Sequence, residues 1–212
     1  MFLGYQEGTC MGSSINRRER KKLNSKKAII DAAVKLFLQK GYNETSVAEI
    51  MNEADLGIGT FYNYFQSKEE ILMHLLAKII SETNKFYIHL SKEPKAASAV
   101  LAEMFLFTGR LLAENRFVLP LFLSAAHKTA AHKNSPPSAE GLTFKAIFDK
   151  IIKMGQDKGE FRQDIPAEVI TEMFHSVFQA ASFSSLDIAF VENIEYKLKL
   201  ILDGLIVTGR KG

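Results

Sequence analysis

Ser46 and Glu49, and again Ser67 and Glu70, stand in the S-x-x-E spacing in which a serine cap and an acid in the first helical turn satisfy each other's backbone donors. Two helix starts this close leave room only for two short helices and a tight turn. The segment between them reads "VAEIMNEADLGIGTFYNYFQ", with Gly57 in the turn and Ala54 ahead of it, small enough for two helices to cross closely. The spacing predicts a helix over 46–53, a turn over 54–57, a helix over 58–65, and a longer helix from Ser67 to about Leu90. A short helix, a glycine-containing turn and a second short helix are the signature of a helix-turn-helix.

The rest of the chain has the same periodicity, and no stretch alternates as a strand does. A first helix is expected from Ser25, as its N-cap, to Lys40, with Ile29, Ala33, Leu36 and Phe37 on one stripe and Gly41 as its left-handed C-cap. Pro94 marks a break, after which helices are expected over 95–114, 115–126, 139–157, 166–184 and 188–208. "HKTAAHKNSPPS" (127–138) and "GEFRQDIP" (159–166) read as loops, with Pro166 in the first turn of the helix that follows. The expected fold is all-α, an N-terminal three-helix helix-turn-helix domain followed by a larger helical domain. Its parts are a basic, flexible arm over 1–22, a helix-turn-helix domain over 23–70 and a helical domain over 71–212.

Charge is unevenly spread. Residues 17–27, "RRERKKLNSKK", hold seven basic residues against Glu19, whereas 28–70 hold three (Lys35, Lys40, Lys68) against seven acids. Such clustering suits an arm for phosphates or, alternatively, a solvated leader. No apolar run approaches the roughly 18–20 residues of a membrane span, and "MFLGYQEGTCMGSS" lacks the layout of a signal peptide, whether translation starts at Met1 or Met11. Cys10 is the single cysteine, so an internal disulfide and a cysteine-cluster zinc site are excluded and the cytoplasm is expected.

Within "GIGTFYNYF" (57–65), Phe61 and Phe65 lie at i, i+4 and are expected to face inward, while Gly59, Thr60, Asn63 and Tyr64 point away and Tyr62 lies at the edge. A reading element in a major groove needs outward side chains and close backbone approach at its N-terminal end. Gly57 and Gly59 lack the Cβ atoms that would hold the backbone off DNA. Thr60 suits a phosphate or a base edge, Tyr62 and Tyr64 suit phosphate, and Lys68, Thr45 and Ser46 are placed for further phosphates.

Residues 25–72, through "AIIDAAVKLFLQKGYNETSVAEI" and "ADLGIGTFYNYFQSKEEIL", resemble the DNA-binding domain of the TetR family of bacterial transcriptional regulators. The resemblance implies that the 58–65 helix is the recognition helix, with Gly59, Thr60, Tyr62, Asn63 and Tyr64 at contact positions and Lys68 at a phosphate position. Position 58, often polar in that family, is Ile58 here. It either packs against a thymine methyl or turns into the small core.

The resemblance also implies that the larger part binds a ligand and dimerises. Phe105, Phe107, Phe117, Phe122, Phe144, Phe148, Phe174, Phe178 and Phe183 are candidates to line a pocket for an apolar or aromatic small molecule, or else are core. The last two expected helices are apolar on more than one face and so need two partners. A homodimer is expected, with Val169, Met173, Val177, Ala181, Ile194, Leu198, Ile201 and Leu205 at its interface. His74, His89, His127, His132 and His175 lack metal-ligand spacing, and neither a P-loop, a dinucleotide fingerprint nor a nucleophile elbow is present. The chain is therefore expected to be no enzyme, to need no cofactor or metal, and to partner operator DNA and a small effector. A repressor released from a palindromic operator by ligand is the implied function. A DNA-binding factor without inducer, or an enzyme retaining the motif as packing, are the alternatives.

Overall fold

A computed structural model of the chain describes residues 16–127 and 144–206. Met1, Cys10, Met11, most of the 127–138 loop, His132 and the 139–143 start of an expected helix lie outside the described residues. These divide into two compact units, one ending at Lys68 and the other beginning at Glu69.

The first unit opens with α1, Arg17–Lys40, which starts well before the expected Ser25. The reason is an asparagine cap, Asn16, ahead of the basic run. Asn16 accepts from the Arg18 N–H at 2.9 Å, and the Glu19 carboxylate accepts from the Asn16 N–H at 3.2 Å. Arg17 to Lys22, expected in a flexible arm, are therefore helical, and Ser25 lies inside the helix. α1 buries Ile29, Ala32, Ala33 and Phe37 and closes where the Gly41 N–H, at φ 94°, donates to the Phe37 carbonyl at 3.1 Å.

The Ser46–Glu49 box starts α2, Val47–Glu53. Its exit uses a residue other than the glycine that the sequence advertises. Asp55 takes the left-handed conformation at φ 54°, the Leu56 N–H reaches the Met51 carbonyl at 3.0 Å and the Asp55 N–H reaches Asn52 at 3.1 Å. This six-to-one plus five-to-two pattern is a Schellman stop. Gly57 is extended, at φ −64°. The expected 58–65 α-helix is a 3-10 helix, Ile58–Asn63. Its bonds span three residues, Thr60 N–H to the Gly57 carbonyl at 2.8 Å and Tyr64 N–H to Phe61 at 2.9 Å. Two glycines in three positions weaken α-helix formation by about 1 kcal/mol each, leaving a short, tight turn. Ile29, Ala33, Phe37, Ile50, Met51, Phe61 and Phe65 form the small core, and Lys35–Glu53 and Lys40–Glu49, each at 2.5 Å, link α1 to α2.

The second unit comprises α3 (Lys68–Leu90, its first residue belonging to the first unit), α4 (Ala97–Glu114), α5 (Leu119–His127), α6 (Phe144–Asp157), α7 (Ala167–Ser182) and α8 (Phe190–Leu205). The expected 115–126 helix is split, because a 3-10 turn over Arg116–Val118 precedes α5. Pro166 caps α7 from the N-cap position rather than from its first turn. α4 packs on α6 and α8, and α7 packs on α5, α6 and α8. Gly109 permits the α4–α8 approach, since a Cβ there would lie 3.2 Å from Ile194. The 159–166 loop is fastened at three points. Phe161 is buried over Gly155 and bridges to Ile206, the Arg162 N–H donates to the Leu205 carbonyl at 3.0 Å, and the Glu160 carboxylate accepts from the Ala97 N–H at 2.6 Å. No helix among the described residues is long and apolar enough to cross a membrane.

Candidate nucleic-acid interface

The 3-10 helix divides its side chains cleanly. Phe61 and Phe65 are buried with ring centroids 5.9 Å apart, and Tyr62 sets its ring edge-to-face on Phe61 while remaining 64% exposed. Gly57, Ile58, Gly59, Tyr62 and Asn63 form an exposed surface, with Thr60 and Tyr64 half-buried. A Cβ built on Gly57 or Gly59 would meet nothing within 4 Å, and neither residue has a positive φ. Nothing among the described residues therefore requires glycine at either position.

Ile58 is 56% exposed, which removes the reading that places it in the core. It lines a shallow indentation with Ala48, Glu49, Met51, Asn52 and Leu56. A second indentation lies at the other end of the element, where Tyr64 meets Glu19, Lys22, Leu23 and Lys26 of α1. The helical start of α1 thus carries its basic residues beside the 3-10 helix, and Lys26 also sits 5.4 Å from the Phe65 ring centroid. Lys22 and Lys26 belong to the basic 17–27 run, and the N-x-x-E spacing of Asn16 and Glu19 is the signal that this run is helical; Ala48 and Asn52 carry no such signal in the sequence.

Three expected phosphate contacts are occupied within the protein. Thr45 is 1% exposed, and its hydroxyl donates to the Gly41 carbonyl at 2.7 Å. The Ser46 hydroxyl donates to the Glu49 carboxylate at 2.8 Å and accepts from the Glu49 N–H at 3.3 Å. Lys68 Nζ donates to the carbonyls of Tyr42 at 2.8 Å, Asn43 at 3.2 Å and Thr45 at 2.9 Å, and lies 4.5 Å from the Tyr42 ring centroid. A cation held by three carbonyls and a ring is a bracket for the 42–45 loop. Glu49 is the clearest electrostatic feature, its carboxyl drawn down to about 2 by the Lys40 ammonium and then by the Ser46 N–H and hydroxyl.

In the second unit, six of the expected pocket residues pack on one another. Phe105 stacks on Phe178 at 4.3 Å and meets Phe148 and Phe174 edge-on, while Phe122 and Phe144 close the cluster against Phe178, each at 5.7 Å. The His175 ring lies 5.6 Å from that of Phe122. Phe107 stands apart, stacked on Phe86 at 4.2 Å, Phe183 is 77% exposed, and Phe117 is half-buried in the turn before α5. The expected dimer residues divide as well. Val177, Ala181, Ile194, Leu198 and Leu205 are buried within the unit, Ile201 is half-buried, and Val169 and Met173 are exposed. Exposed Phe183, Leu186, Tyr196 and Leu200 accompany the last two. Inter-helix packing, which periodicity does not reveal, decided which apolar stripe turned inward.

Residues 29–75 match the family model for bacterial regulatory proteins, tetR family. Over 50 residues, 24% of this chain, the sequence is 56% identical to the uncharacterized HTH-type transcriptional regulator YuxN of Bacillus subtilis, and this match spans 17% of that relative's length. Over 148 residues, 68% of this chain and 75% of the relative, it is 28% identical to the fatty acid metabolism regulator protein of B. subtilis. The fold is similar to the crystal structure of the transcriptional regulator FadR from B. subtilis in complex with stearoyl-CoA, with a TM-score of 0.66 and 22% identity over 84% of this chain and 98% of that one. Sequence over the first unit and fold over most of the chain point the same way: residues 29–75 are a segment of the tetR family of bacterial regulatory proteins, and the fold around them is similar to that of a solved transcriptional regulator.

Proposed function

We propose that this chain is a cytoplasmic, sequence-specific DNA-binding transcriptional regulator, a repressor that a small apolar ligand releases from a palindromic operator. The observation that carries the reading is the outer face of the 3-10 helix. Gly57 and Gly59 stand open without a structural need for glycine, Tyr62 and Asn63 project polar groups outward, and the basic start of α1 lies alongside. Open glycines permit close backbone approach by an external partner, and a cluster of lysines and arginines suits a phosphate backbone. Gly57, Ile58, Gly59, Thr60, Tyr62, Asn63 and Tyr64 are the proposed DNA-facing residues.

The protein works as a homodimer in this reading, since two reading heads about 34 Å apart match one turn of DNA. The exposed apolar residues Val169, Met173, Phe183, Leu186, Tyr196 and Leu200 of α7, α8 and their connection supply the surface for it. The aromatic cluster of Phe105, Phe122, Phe144, Phe148, Phe174 and Phe178 would open around an apolar effector. A long acyl chain is the first class to examine, because the structural neighbour holds stearoyl-CoA. The same cluster supports a second reading, a DNA-binding factor without inducer, because its rings already fill one another's space.

The test is reciprocal linkage. DNA selected from random duplexes should weaken binding of the effector by the factor with which the effector weakens binding of DNA. Equal effector affinity with and without that DNA would refute ligand-driven release. A melting screen in which only hydrophilic sugars shift the transition would refute an apolar site.

A further inference from the structure

We propose that Ile58 determines sequence specificity by packing on the C5-methyl of a thymine in each half-site. The proposal rests on the DNA-binding reading of the first unit. A lone exposed isoleucine means little, because apolar atoms cover much of any protein surface. Ile58 differs in its surroundings. It stands at the leading end of the outward-facing element, between two glycines whose missing side chains leave it unscreened. The small core is built from Ile50 and Phe61, both fully buried, while Ile58 stays 56% exposed. Ala48, Met51 and Leu56 give its indentation an apolar lining to which Asn52 and Glu49 add polar groups.

That lining discriminates among the chemical groups that DNA offers. Phosphate is the wrong occupant, because the indentation contains a carboxylate, already engaged by Lys40 and Ser46, and no cation lines it. The phosphates have their complement at the opposite end of the element, where Lys22 and Lys26 line the groove with Tyr64. An apolar side chain has no donor for guanine. The one apolar group that base pairs expose in the major groove is the thymine methyl. Thymine therefore matches Ile58 where guanine, cytosine and adenine do not.

The experiment selects sites from random duplexes with the full chain and with Ile58→Ala, then replaces each thymine of one half-site by deoxyuridine, which lacks only the methyl. With the wild-type chain, one replacement should weaken binding about fourfold, the worth of one buried methyl. Ile58→Ala should bind the thymine and deoxyuridine duplexes equally at that position. Wild-type indifference to every replacement would overturn the proposal while leaving DNA binding intact, as would undiminished methyl sensitivity in Ile58→Ala. Failure of the wild-type chain to enrich any sequence would overturn the DNA-binding reading itself, and this proposal with it.

Discussion

Replacing Lys68 by Met removes the ammonium and keeps a similar apolar stem, so it separates two roles for the side chain. If Lys68 touches DNA, the variant loses one counterion-releasing contact and the slope of log affinity against log salt shrinks by about 0.9. The geometry gives another outcome. Nζ is committed to the carbonyls of Tyr42, Asn43 and Thr45 and to the face of Tyr42, all within the loop that leads into α2. Hydrogen bonds to a charged group contribute about 1.5–3 kcal/mol each when buried, and a cation over an exposed ring about 0.5–1 kcal/mol. The site is half-buried, so water re-solvates part of what the ammonium leaves, and the expected loss is about 2 kcal/mol for the first unit. Hydrogen exchange should then speed up over residues 42–47. DNA affinity should fall with the salt slope unchanged, because the loop is loosened rather than a phosphate contact deleted. A slope reduced by about one, with exchange over 42–47 unaltered, would refute the bracket and restore Lys68 to the phosphates.

Glu49 carries a pH signature. Its carboxyl is drawn down to about 2 in the folded chain, so its contribution is fully present above the ordinary value of 4.5 and is lost as pH falls from there through 2. Acid unfolding curves should show this slope, and Glu49→Gln should flatten it; equal slopes for the two proteins would refute the coupling. Asp55→Gly should raise stability by about 0.5–1 kcal/mol in urea titrations, since glycine enters the left-handed conformation at no steric cost. A loss would mean that the Asp55 side chain holds the turn by itself. Met173→Glu combined with Leu200→Lys places charge on two residues that are 52% and 74% exposed, and light scattering should then report a monomer at micromolar concentration. A double variant still of dimeric mass would put the interface elsewhere.

Much of the first unit was readable because its signals are local. A capping box links residues three apart, a helical stripe repeats within one element, and Phe61 and Phe65 sit one turn apart whatever surrounds them. For that reason Ser46 was found as a cap and the two phenylalanines as anchors. Asn16 and Asp55 act just as locally, since asparagine caps helices and aspartate tolerates positive φ, but Ser25 and Gly57 are at least as strong candidates for the same roles by residue type. Other questions depended on which surfaces meet. The sequence placed Lys68 at the start of a helix, but only the return of the 42–45 loop gave its ammonium three carbonyls. It put Ile58 either in the core or outside, and only the fold, which buries Ile50 and Phe61 and leaves Ile58 exposed, fixed the answer. It marked α7 and α8 as apolar on two faces without ranking them. Packing against α4 and α6 drew Val177, Ile194 and Leu198 inward and left Met173 and Leu200 outside. Periodicity states that a face is apolar; which neighbour covers it is a property of the assembled helices alone.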